Sequence, residues 1–72
     1  MNECAVRNQL RELRQKRGEL TQAALAQLCG VTRQTIIALE AEKYSPSLEL
    51  AFRLARALGH DLEEVFQYQK KK

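Results

Sequence analysis

Apolar residues recur along this chain at spacings of three and four, and polar or glycine positions interrupt them at short intervals. Val6, Leu10 and Leu13 form the first series, which closes in the basic run Arg14, Lys16 and Arg17 and stops at Gly18. It predicts a helix whose negative C-terminal end meets positive charge. A second series, Leu25, Leu28 and Cys29, follows Thr21 as N-cap and ends at Gly30, predicting a short helix with those three residues on one face. A third begins with Thr32 as N-cap and places Ile36 and Leu39 three apart, with Val31 just before the cap to fold back as an apolar staple. After the polar loop Ala41 to Ser45, Ser45-Pro46-Ser47 opens a fourth helix, because proline tolerates the first turn and serine caps it. Leu48, Ala51, Leu54, Ala55 and Leu58 then repeat at helical spacing until Gly59. Asp61, with Glu64 three residues on, resembles a capping box for a fifth short helix bearing Leu62, Val65 and Phe66. β-Branched residues are few and never alternate with polar ones, so no strand is predicted. The predicted class is all-α, five short helices around one small core.

Composition narrows what such a core can support. The chain has 72 residues, 44% of them hydrophobic and 29% charged, which suits one folded domain over 1–72 with no repeat or linker. Two cysteines, Cys4 and Cys29, and one histidine, His60, fall short of the four ligands of a structural zinc site, and no cofactor is expected. Nothing offers a nucleophile beside a base or a phosphate-cradling loop, so enzymatic activity is not expected. The chain opens without a secretory leader and has no apolar run near the roughly twenty residues of a membrane span. The expectation is a cytoplasmic protein with free thiols and no membrane association, held by helix packing and by a second copy of itself.

The net charge is +3, and its distribution says more than its size. Residues 1–36 carry six basic side chains against three acidic ones, whereas residues 37–72 carry six of each, including Lys70, Lys71 and Lys72 in the basic tail 69–72. The basic excess sits in the first half, and such a charge permits nucleic-acid binding without demanding it.

The second and third predicted helices form a unit, Gln22 to Ala41, with Ala26 in fifth place, Gly30 in ninth, Ile36 in fifteenth and Leu39 in eighteenth. A small residue at 26 allows close helix crossing, Gly30 can turn left-handed, and Val31, Ile36 and Leu39 fill the junction. This unit resembles the helix-turn-helix of phage repressors. The resemblance extends through Leu10-Arg11-Glu12-Leu13-Arg14, Leu20-Thr21-Gln22, Thr32-Arg33-Gln34-Thr35-Ile36 and Lys43-Tyr44-Ser45-Pro46-Ser47-Leu48, covering roughly Val6 to Phe66. Together these segments are similar to the five-helix lambda-repressor and Cro family, whose nearest members to this pattern are small stand-alone regulators of prokaryotes.

That resemblance implies a set of roles. Arg33 and Gln34 sit where the recognition helix meets base edges, Arg suiting guanine N7 and O6 and Gln suiting adenine N6 and N7. Thr32, Ile37 and Ala38 are lesser base-contact candidates, the last two through apolar contact with a thymine methyl. Thr21 and Gln22, with Lys43, Tyr44 and Ser45, match positions that grip phosphates. Arg14 and Glu40 match the family's partly buried structural ion pair. Two departures stand out: the Gly18 to Gln22 connection has one residue more than many relatives, placing Glu19 near the phosphate-facing side. The frequent glycine after the recognition helix is replaced by Glu42, which a left-handed turn would strain.

Phe52, Phe66 and Tyr68 exceed what so small a core covers readily, and palindromic operators are read by two-fold dimers, so a homodimer joined there is expected. Arg7, Arg11, Lys16 and Arg17 read as a solvated face, Cys29 as inert core and His60 as local. The leading function is a sequence-specific double-stranded DNA-binding regulator, a repressor acting as a homodimer on a palindromic operator. The alternative is an antitoxin-like or anti-repressor module whose partner is a protein, a toxin or another regulator, and whose activity is indifferent to Arg33 and Gln34. A nonspecific nucleoid-coating protein, with a steep salt slope and little sequence preference, is a weaker third.

Overall fold

Three side-chain hydroxyls mark where helices begin. Thr21 Oγ1 accepts the N–H of Ala24 at 3.0 Å, Thr32 Oγ1 that of Thr35 at 3.2 Å, and Ser47 Oγ that of Leu50 at 3.1 Å. Each satisfies a first-turn donor that has no partner within its own helix. The computed structural model describes residues 5–18 and 20–69. It contains the helices α1 (Leu10–Lys16), α2 (Gln22–Cys29), α3 (Arg33–Glu40), α4 (Leu48–Leu58) and α5 (Leu62–Val65). Pro46 precedes the Ser47 cap instead of occupying the first turn of α4. Cys4, Glu19 and Lys70 to Lys72 lie outside the described residues.

The fold is mostly helical but not all-α. Strand β1 (Val6–Asn8) pairs antiparallel with β2 (Phe66–Tyr68), in the register Val6 to Tyr68, Arg7 to Gln67 and Asn8 to Phe66. Backbone bonds from Gln9 N–H to the Val65 carbonyl at 2.8 Å and from Gln69 N–H to the Ala5 carbonyl at 2.7 Å extend the ladder at both ends. Val6 therefore leaves the first helix, where its spacing to Leu10 placed it. Asn8 Oδ1 accepts the N–H of Leu10 at 3.1 Å, so the helix starts at Leu10. Val6, Phe66 and Tyr68 are of β-branched or aromatic type, which suits a pleated surface.

Leu10, Leu25, Ile36, Leu39, Leu54, Leu58 and Val65 are fully buried with Cys29, and Ala26 and Ala55 fill the gaps between helices. Leu20, Val31, Leu50, Leu62 and Phe66 pack around this centre. Two expectations about which helix residues are buried fail. Leu28 is 63% exposed, because the buried stripe of α2 runs through Leu25, Ala26 and Cys29 and turns Leu28 outward. Leu48 is likewise exposed, and Leu50 packs against the core in its place.

The start of α5 is fixed locally. Glu64 accepts the backbone N–H of Asp61 at 2.8 Å and lies 3.1 Å from His60 Nδ1. These bonds, the backbone one foremost, hold its carboxyl below the usual carboxylate range.

Burial pushes the Cys29 thiol above its ordinary value, with the Arg53 guanidinium a smaller opposing pull. The thiol stays protonated in the fold at pH values where the unfolded chain already ionises. Its contribution to stability is thus complete below the unfolded-state value and is lost as pH rises through the folded one. In a chain carrying Cys4→Ser, Cys29 is expected to react with a thiol reagent at mildly alkaline pH only as fast as the domain opens. Reaction at the rate of the urea-unfolded chain would contradict this burial.

Candidate nucleic-acid interface

The turn between α2 and α3 occupies three residues, Gly30, Val31 and Thr32. Gly30 adopts φ 74° and ψ 30°, a left-handed conformation open to glycine without steric cost, and its N–H and that of Val31 return to the Gln27 and Ala26 carbonyls. Thr32 then caps α3 at once, so little chain separates the two helices. Ile36 and Leu39 are buried against the core, and that burial turns the opposite side of α3 to solvent.

On that outer side Thr32, Arg33 and Gln34 are exposed, and Ile37 and Ala38 are half-buried. The Thr32 hydroxyl is occupied with Thr35, bonding both its N–H and its Oγ1. Arg33, Ile37, Glu40 and Ala41 line an open depression of about 620 Å³ together with Thr21, Gln22 and Ala23 at the start of α2 and Arg11, Arg14 and Gln15 of α1. Gln34 and Ala38 lie outside its lining. Lys43, Tyr44 and Ser45 are exposed in the loop that follows α3.

Helix charge distinguishes this face. The first turns of α1, α4 and α5 each hold a glutamate, at Glu12, Glu49 and Glu63 with Glu64. The first turns of α2 and α3 hold no acidic residue. Apart from the donors that Thr21 and Thr32 cap, the partial positive ends of these two helices lie beside Arg11 and Arg33, an arrangement that attracts anions, with the Glu40 carboxylate of the same depression engaged by Arg14 and Gln22.

In the wall of the depression, Arg14 meets Glu40 through two bonds, Nε to Oε2 at 2.7 Å and Nη2 to Oε1 at 3.2 Å. The two side chains are only 12% and 7% exposed. Arg14 Nη1 also donates to the Leu20 carbonyl at 3.2 Å, and Gln22 Nε2 donates to Glu40 Oε1 at 3.1 Å. The first helix, the start of the second and the end of the third are thereby joined by one polar cluster. Gln22 is thus fixed in place, with its second amide hydrogen still available.

Sequence reasoning passed over two features of this region. Arg11, assigned on sequence to a solvated face, and Gln15, which carries no sequence signal, wall the depression beside Arg14. Asn8, Arg7 and Glu42 also form a cluster at the end of α3, which only the missing glycine at position 42 signalled. Phe52 and Tyr68 are 48% and 75% exposed, whereas Phe66 is half-buried against its own core. Among the described residues, no group of three or more His, Cys, Asp or Glu side chains is placed to hold a metal ion. Nor is any helix there long and apolar enough to cross a membrane.

Comparison with known proteins agrees with this geometry. A helix-turn-helix family model matches residues 10–65. An uncharacterized HTH-type transcriptional regulator of Methanothermobacter thermautotrophicus is 58% identical over 62 residues, 85% of this chain and 88% of that protein. The crystal structure of the restriction-modification controller protein C.AhdI from Aeromonas hydrophila superposes with a TM-score of 0.71 at 38% identity, covering 76% of this chain and 78% of that one. A protein from Bacteroides fragilis of known crystal structure shares the fold at a TM-score of 0.77 and 22% identity, over 86% of this chain and 98% of that one.

Proposed function

The chain belongs to the helix-turn-helix family of lambda-repressor and Cro type, and from that premise we propose that it is a sequence-specific double-stranded DNA-binding transcriptional regulator, a repressor acting as a homodimer on a palindromic operator. The observation that carries this reading is the shared face of Arg33 and two helix starts without an acidic residue in their first turns, around one open depression. Phosphates seat at the start of α2, on Thr21 and Gln22, and at Lys43, Tyr44 and Ser45, which fixes the register of the protein on the duplex. The first turn of α3 then enters the major groove, about 12 Å wide. Arg33 and Gln34 read base edges there, Ile37 and Ala38 offer apolar contact to a thymine methyl, and Thr32 contributes less because its hydroxyl is occupied with Thr35.

Phe52 and Tyr68 supply most of the apolar surface for a second copy, with Phe66 contributing its exposed part. A two-fold pair joined there sets the recognition helices about 34 Å apart, one turn of DNA. This regulator acts in the cytoplasm and needs no cofactor or catalytic step. The exposed Leu28 and Leu48 favour a second reading, in which a protein partner, a toxin or another regulator, covers them.

Selection of binding sites from a random duplex pool at near-physiological salt tests the proposal. A two-fold symmetric site with half-sites about one helical turn apart is the expected result. A pool that shows no enrichment would overturn it.

A further inference from the structure

We propose that Glu42 is a positioning residue for DNA binding: anchored to β1 through Arg7 and Asn8, it sets the path of the phosphate-gripping segment Lys43 to Ser45. The inference rests on the DNA-binding reading of that segment and names what holds it in place.

Helix α3 ends in a reversal. Glu42 has φ 59°, and it is the non-glycine residue with a positive φ among the described residues. Its N–H donates to the Leu39 carbonyl at 3.0 Å, and the Lys43 N–H donates to the Ala38 carbonyl at 3.1 Å. Glycine is the usual occupant of such a position, because a Cβ crowds the following carbonyl in the left-handed region. A glutamate held there needs support from elsewhere in the fold.

The support comes from the first strand. Glu42 Oε1 accepts from Arg7 Nη1 at 2.7 Å, and Oε2 accepts the backbone N–H of Asn8 at 3.1 Å. Asn8 Nδ2 in turn donates to the Leu39 carbonyl at 2.8 Å, while its Oδ1 accepts the Leu10 N–H. Arg7 Nε donates to Gln69 Oε1 at 2.6 Å. One cluster thus joins β1, the start of α1, the end of α3 and the residue after β2. The terminal sheet holds β1 still, β1 holds the Glu42 carboxylate, and the Glu42 backbone directs Lys43.

This arrangement also resolves a charge conflict. An acidic residue beside a phosphate-gripping lysine opposes DNA binding, but the Arg7 guanidinium matches the Glu42 charge locally. The carboxylate can therefore anchor the turn without repelling the duplex.

The test is a double-mutant cycle of E42G and K43A on the selected duplex. Affinity is measured against salt concentration, at a temperature where circular dichroism shows every variant folded. E42G keeps a turn that glycine accepts freely but loses the anchor. It is expected to bind about fivefold more weakly, with the salt slope lower by about one, as K43A is by itself. In the E42G background K43A then costs little more, because Lys43 is already misplaced. E42Q, whose amide oxygen can still accept the Asn8 N–H, restores most of the slope. Additive effects of E42G and K43A, or an E42G protein that binds with the wild-type slope, would overturn the positioning role while leaving the DNA reading intact. Wild-type protein with no preference for the selected duplex, and no loss on K43A, would overturn both together.

Discussion

Arg14→Ala is expected to destabilise the domain by about 3 kcal/mol. The side chain is almost enclosed, and its removal strips Glu40 of both charged hydrogen bonds and the Leu20 carbonyl of a donor. Glu40 keeps only the Gln22 amide, so a carboxylate that is 7% exposed is left nearly unpaired. Domains of this size have a total stability of only about 5 kcal/mol or somewhat more, so the variant approaches the point where unfolded chain is abundant. Joint replacement of Arg14 and Glu40 by apolar residues of similar volume is expected to recover most of the loss, since no buried charge is then stranded. Urea unfolding followed by helical circular dichroism measures both. A single-variant midpoint equal to that of the wild type would show that the pair contributes nothing, and DNA affinity unchanged as well would remove its place in the site.

Arg33→Ala and Gln34→Ala are expected to weaken binding to the selected duplex by about 1–3 kcal/mol each, with little effect on random duplex. Both side chains are exposed on the outer side of α3, so the fold loses no core contact and thermal stability stays near that of the wild type. Arg33→Lys separates charge from geometry. Lysine keeps the phosphate attraction of a cation but lacks the planar fork that bonds guanine O6 and N7 together, so specific affinity falls while nonspecific affinity is retained. Competition titrations on both duplexes read these differences directly. Equal losses on selected and random DNA would assign Arg33 to phosphate contact and move base readout elsewhere.

Much of the helical frame was legible because its signals are local. Thr21, Thr32 and Ser47 cap helices through side-chain oxygens, and Gly30 and Gly59 end them in left-handed turns, all within four residues of the groups they satisfy. The terminal sheet was not legible for the converse reason. Its strands have three residues each, too few for alternation to show, and the pairing of Val6 with Tyr68 spans nearly the whole chain. The spacing of Val6 to Leu10 also matches a helical repeat by coincidence. Leu28 was misplaced because an eight-residue helix gives too few positions to fix the direction of its buried stripe.

The candidate site divides in the same way. Arg33 and Gln34 are singled out by the family resemblance, and both are exposed on the outer side of α3. Arg14 and Glu40 lie 26 positions apart, and only the family resemblance brought them together on the sequence. The Asn8, Arg7 and Glu42 cluster spans more than thirty positions, and its partners carry no local mark. What the sequence did show was a glutamate where a glycine is usual, which located the strain without its support.

The measurement that bears most directly on this account is an equilibrium titration of the wild-type protein against the selected duplex and a random duplex of equal length, in one buffer at near-physiological salt. The account predicts binding to the selected duplex at least about 10³-fold tighter. Equal affinity for the two duplexes, with the same salt slope, would contradict it and describe a protein that coats DNA without reading it.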